Sequence, residues 1–154
     1  MAAPESEIVF RPLDISDYDR GFIRLLSQLT SVGDCSKSDF ERLFERLRTR
    51  GTQQRTIVYV NPTDGQICAT GSLFLECKFT HKGGICGHIE DVVVDETVRG
   101  KHLGVRVIEE LIKIARAEGC YKVILDCSRK NVPFYERCGF TQKELQMRFD
   151  LLDQ

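Results

Sequence analysis

A chain of 154 residues holds about one domain's worth of structure and can bury a core without disulfide or metal staples. Lys and Arg together number 22 against 23 Asp and Glu, so the overall balance points to no general nucleic-acid or membrane partner, and any anion site must be local. No apolar run approaches the roughly 18 residues of a spanning helix, MAAPESEIVF has no signal-peptide pattern and FDLLDQ no retention or peroxisomal address, which leads to the expectation of a soluble cytoplasmic protein. Seven cysteines, an odd number with no CxxC pair and no histidine at finger spacing, read as reduced thiols, and no metal-ligand set emerges.

In chain order, Ile8 to Pro12 reads as a short strand. Asp14 or Ser16 caps a helix predicted through Thr30, with Phe22, Leu25, Leu26 and Leu29 on one face. Ser36 opens a second helix carrying Phe40, Leu43, Phe44 and Leu47, stopped by Gly51. The period then changes. RTIVYVNPTDGQICATGSLFLEC holds two strands around the turn NPTDG, and GHIEDVVVD supplies a third after HKGGICG. Lys101 to Glu118 is the strongest predicted helix, with Leu103, Val107, Ile108, Leu111, Ile114 and Ala115 facing a core. CYKVILDC is a strand, NVPFYERCG a short helix, and FTQKELQMRFDLL a final strand or strand pair. This order, without repeat or linker, predicts one mixed α/β domain over residues 1–154.

VRGKHLG, Val98 to Gly104, stands where a strand hands over to the long helix. Peptide N–H groups at a helix start lack intrahelical partners and carry the positive end of the macrodipole. Gly100 and Gly104 remove side-chain bulk from that position, and Arg99 and Lys101 add positive charge, which suits a pyrophosphate. A P-loop, GxxxxGK[ST], and a dinucleotide fingerprint, GxGxxG, are both absent, which disfavours kinase and dehydrogenase chemistry.

The loop resembles the pyrophosphate loop of the GNAT acetyltransferase superfamily, [QR]-x-x-G-x-[GA], with Arg99 and Gly104 at its first and last positions and His102 where the middle glycine usually stands. With GHIEDVVVD, GCYKVILDCS, NVPFYERCGF and LLSQLTSVG, the likeness extends from Ile8 to Met147 and is closest to the glucosamine-6-phosphate N-acetyltransferase family. It implies a GNAT fold, a central, mostly antiparallel twisted sheet flanked by helices. It also implies acetyl transfer from acetyl-CoA to the 2-amino group of D-glucosamine 6-phosphate within a ternary complex, on the way to the UDP-linked sugar. A homodimer is implied as well, with the C-terminal strands paired across subunits and one subunit lending substrate contacts to the other.

The resemblance also implies roles. Glu90 and Asp91 lie near the sugar, with Glu90 a base, directly or through water; strand alternation would send them to opposite faces unless a bulge intervenes. Val92, Val93 and Val94 present backbone groups to the pantetheine arm, while Arg99, Gly100, Lys101, His102, Leu103 and Gly104 hold the pyrophosphate, and Asn131 reaches the cofactor or caps its helix. Tyr135 protonates the leaving thiolate, and Asp126 contacts sugar or acetyl group. Thr30, Lys78, Phe79, Thr80, His81, Tyr121, Lys122 and Arg148 complete the substrate set, the basic members facing the 6-phosphate. A covalent intermediate on Cys127 is rejected, because no histidine lies nearby in sequence to activate it, and His88 reads as strand structure. Two other readings are an acetyltransferase for a different amine and a non-catalytic acetyl-CoA sensor.

Overall fold

A computed structural model describes residues 8–49 and 53–152. Five strands lie in the order β1-β2-β3-β4-β5: β1 Arg11–Pro12, β2 Gln54–Val60, β3 Ile67–Cys77, β4 Ile85–Val94 and β5 Cys120–Ile124. The first four pair antiparallel and β5 runs parallel to β4, as expected when a long helix crosses between them. The helices are α1 Phe22–Leu26, α2 Lys37–Thr49, the single turn α3 Thr80–Gly83, α4 Leu103–Ala117 and α5 Val132–Arg137. No described helix is long and apolar enough to cross a membrane.

Alternation along the strands divides the core in two. Ile57, Ala69, Leu73, Leu75 and Ile89 turn to one face, where α4 lays down Val107, Ile108, Leu111 and Ala115. Val58 and Val93, with Ile67 beyond a register irregularity at Tyr59/Val60, turn to the other, where Phe22 and Leu25 of α1 and Phe40 of α2 meet them. The half of α2 beyond Phe40 is less covered, and Leu43 and Leu47 of its expected apolar face are exposed.

Several sequence expectations change. The first strand shrinks to Arg11–Pro12. The expected helix through Thr30 breaks into a 3-10 turn, Ile15–Tyr18, and α1, because Gly21 takes a left-handed conformation (φ 79°) between them. Lys101 and His102 stay outside α4 because His102 is itself left-handed (φ 56°). The expected final strand does not form: residues 140–152 hold no strand or helix, and no described strand lies beyond β5 to pair with them. Leu145, Met147 and Phe149 are consequently exposed. Gly51 lies outside the described residues.

Candidate active site

The site begins with an irregularity in β4. Thr70 pairs with Val93 and Ser72 with Glu90, so two steps along β3 match three along β4 and one residue of β4 is extra. Asp91 has φ 53° there, a left-handed conformation that aspartate tolerates better than most side chains. The bulge restarts the alternation. Ile89 faces α4, and past the bulge Val92 and Val94 pack on that core again while Val93 points to α1 and α2. Without the extra residue Val93 would share the face of Ile89. The sequence offered a bulge here only as the exception to strict alternation, and the structure forms one.

Opposite the bulge stands Gly71, which sequence reading missed. A Cβ there would sit 2.8 Å from Val107, 2.9 Å from Leu111 and 3.4 Å from Val92. The glycine therefore lets α4 close onto the bulged strand; an isolated glycine within the strand pattern ATGSLF was the available signal.

Two strands then part. The β4–β5 ladder runs Ile85↔Cys120, Cys86↔Lys122, Gly87↔Val123, His88↔Ile124 and goes no further. From Ile89 to Val94 the β5-facing edge of β4 has no strand partner among the described residues, which leaves room for an extended ligand arm to pair there. This is the splay that hydrophobic periodicity cannot reveal.

Glu90 and Asp91 sit at that opening, on and beside the bulge. Glu90 has a raised pKa, caused first by partial burial and then by the charges of Asp91 and Asp126, so the three residues share one field. Tyr135 is half-buried, and its phenol is pushed up by burial and by the neighbouring Cys127, Cys138 and Glu90. Its ring packs edge-on against Phe134 (centroids 5.0 Å) and Phe140 (6.0 Å), so the packing role is real and fixes the ring beside Glu90's field. Asn131 precedes α5 without a side-chain cap bond, which removes the capping role and leaves its amide available.

The anion loop forms at the other end of the opening. Gly100 adopts φ 85° with open space around it, and the exposed His102 precedes α4 with no side-chain cap bond. The first N–H groups of α4 thus receive no side-chain cap from His102, beside exposed Arg99 and Lys101. Leu103 anchors the turn in the core. Gly104 has a packing reason as well: a Cβ there would meet the Phe134 ring at 3.2 Å, so the anion loop and the tyrosine helix α5 touch through this residue.

The second basic group gathers at the β3–β4 turn. His81 stacks on Tyr121 (4.2 Å between centroids), Lys122 lies 5.6 Å over the same ring, and the Lys78 amide donates to the Gly84 carbonyl at 2.8 Å. Thr80 opens the turn, His81 and Lys82 are left-handed within it (φ 51° and 59°), and the Phe79 ring is fully exposed. The Lys78 ammonium is engaged with Glu76, which also binds His88 at 2.7 Å, so Lys78 is less free than the sequence suggested. Two expected members stand apart among the described bonds: Arg148 pairs with Asp150 on the C-terminal segment, and the Thr30 amide donates to Leu26 after α1.

Residues 22–140 match the model of the acetyltransferase (GNAT) family. The chain belongs to the GNAT acetyltransferase family. Among its relatives, glucosamine 6-phosphate N-acetyltransferase of Arabidopsis thaliana is 50% identical over 137 residues, 89% of this chain and 92% of that one. The protein of that name from Candida albicans is 42% identical, covering 90% of this chain and 92% of the relative. The crystal structure of the glucosamine-6-phosphate N-acetyltransferase from Arabidopsis thaliana superposes with a TM-score of 0.90 at 46% identity, covering 95% of this chain and 99% of that one. The mixed α/β GNAT fold expected from the sequence is thus the fold observed.

Proposed function

We propose that this GNAT chain transfers the acetyl group of acetyl-CoA to the 2-amino group of D-glucosamine 6-phosphate, releasing N-acetyl-D-glucosamine 6-phosphate and CoA, a step toward the UDP-linked sugar. The observation that carries the reading is the opening itself: β4 leaves β5 after His88 and bulges at Asp91 beside Glu90, and the charges of Asp126 and Glu90 act on Glu90 and Tyr135 respectively. The relatives' shared name supplies the acceptor.

The chemistry follows from the groups present. The uncapped N-terminus of α4, with Arg99 and Lys101, binds the donor's pyrophosphate, and the open edge of β4 from Val92 to Val94 pairs with its pantetheine arm. Glu90 accepts a proton from the sugar ammonium, directly or through water, and its raised pKa makes it a better base than an ordinary carboxylate. The neutral amine then attacks the thioester carbonyl carbon, a C–N bond forms and the C–S bond breaks. A backbone N–H of the open edge stabilises the developing oxyanion, a contribution of about 3 kcal/mol in comparable sites. Tyr135 donates its hydroxyl proton toward the departing sulfur. Its raised pKa lies above the roughly 8.5 of a thiol, so this is hydrogen-bond assistance and not a strong downhill transfer.

The acceptor's phosphate fits His81, Tyr121 and Lys122, with Lys78 joining once released from Glu76. Lys122 pairs with Cys86, four residues before Glu90 on β4, about 13 Å along the strand, a span that the two side chains and a sugar phosphate can cover together. The family likeness suggests a homodimer in which one copy lends substrate contacts to the other's site. The exposed Leu145, Met147, Phe149 and Leu151 give the C-terminal segment an apolar surface suited to such pairing, with Arg148 among them. The unit is read as a single domain over residues 1–154, and its seven free cysteines support a reducing, cytoplasmic setting.

The test is product identity. NMR of glucosamine 6-phosphate incubated with acetyl-CoA and the protein should show an N-acetyl group on C2 and stoichiometric free CoA. Acetylation at an oxygen, or CoA binding without product, would overturn the reading, the latter in favour of a sensor.

A further inference from the structure

One network outside this chemistry is more fully built than its position requires. Asp95 follows β4 directly, its amide donating to the Cys68 carbonyl at 2.8 Å, and its side chain is only 5% exposed. Oδ2 accepts from Arg24 Nη1 (2.8 Å) and Gln28 Nε2 (3.2 Å), and Oδ1 from the Thr97 amide (2.9 Å) and hydroxyl (2.7 Å). The Glu96 amide donates to Gln28 Oε1 at 3.0 Å. Arg24 and Gln28 lie on and just after α1, 71 and 67 residues away in sequence. The Arg24 bond, followed by those from Thr97, holds the Asp95 carboxyl well below the usual carboxylate range.

The anchored stretch is the entry to the anion loop. Asp95 caps the 3-10 turn Glu96–Val98, and the next residue is Arg99, whose Nε donates back to the Val94 carbonyl at 3.3 Å. Gly100 and His102 then use left-handed conformations that no side-chain cap secures. The loop's direction is therefore set on its upstream side by this clamp and downstream by Leu103 in the core. We propose that Arg24 and Gln28, acting through Asp95, are positioning residues for acetyl-CoA: they orient the loop that binds the pyrophosphate without touching it. The inference rests on the acetyl-CoA reading of the loop.

The test is CoA affinity by calorimetry in the full chain, with KM for acetyl-CoA alongside. Arg24→Gln should weaken CoA binding about fivefold, and Gln28→Ala by a smaller factor, through repositioning alone. Arg24→Lys, which keeps the charge at Asp95, should restore much of the loss, and the defects of Arg24→Gln and Asp95→Asn should be less than additive. Should Arg24→Gln fold poorly, Gln28→Ala decides, because it leaves the ion pair intact. Wild-type CoA affinity in folded Arg24→Gln and Gln28→Ala, whatever their melting temperatures, would reduce the network to a fold contact and overturn the proposal. CoA affinity is read without an acceptor. A clamp effect on it alongside inactivity toward glucosamine 6-phosphate would support the clamp and overturn only the acceptor, whereas wild-type protein that binds no CoA would overturn the loop reading and the clamp with it.

Discussion

At the level of single residues the site divides by environment. Glu90 is raised by partial burial and by its carboxylate neighbours, so it loses its proton at higher pH than an isolated glutamate. As a base it works only when deprotonated, which places an acid limb in kcat/KM. Asp126→Asn removes one repelling charge and should move that limb to lower pH, even if turnover falls; the amine's own ionisation is common to both proteins. An unmoved limb would mean that another group is the base. Tyr135→Phe should lower kcat by roughly 100-fold with little change in KM for acetyl-CoA, measured by thiol release under conditions where chemistry limits. Asp95 runs the opposite way from Glu90: its folded pKa is depressed, so its stabilisation is complete above the unfolded value near 3.9 and is lost as pH falls through the folded one. Residue types were the most legible part of the site. EDVVV, RGKHLG and FYERCG carry side chains whose chemistry speaks through family likeness, whereas Arg24 and Gln28 sit in an ordinary amphipathic segment and act only through a contact across 71 and 67 residues.

At the level of elements the site depends on a defect and a separation. The bulge at Asp91 moves Val93 to the α1 and α2 face, and the end of the β4–β5 ladder at His88 leaves a free edge for the donor. Gly71 makes room for both the bulged strand and α4. Gly71→Ala should cost about 1–3 kcal/mol through overpacking and lower the melting temperature accordingly, since its Cβ would lie under 3.0 Å from Val107 and Leu111. A variant as stable as wild type would show that α4 can retreat freely. Helices α2 and α4 and strands β2 to β5 were legible because their apolar spacing is long and regular. The break at Gly21 was not, because a left-handed glycine interrupts a pattern whose apolar residues still recur at helical spacing. The final segment reads as strand by composition, but a strand is a pairing and the partner is not encoded locally.

At the level of the whole molecule, the basic group at Tyr121 lies along the β4–β5 ladder and the carboxylates of β4 just past its end, and the proposed dimer is what the exposed C-terminal segment would serve. Deleting residues 141–154 should leave a monomer by light scattering and abolish turnover while CoA still binds; an active monomer would contradict the shared site. Family likeness carried the dimer into the sequence reading, and nothing in hydrophobic period or charge pattern could have done so. The most direct test of the central claim is kcat/KM for thiol release from acetyl-CoA with glucosamine 6-phosphate against glucosamine, in the wild type and in Lys122→Gln. The account predicts strong preference for the phosphorylated sugar, reduced by at least about tenfold in the variant because a charge-assisted contact is lost. Equal rates with both sugars, or a preference untouched by Lys122→Gln, would contradict it.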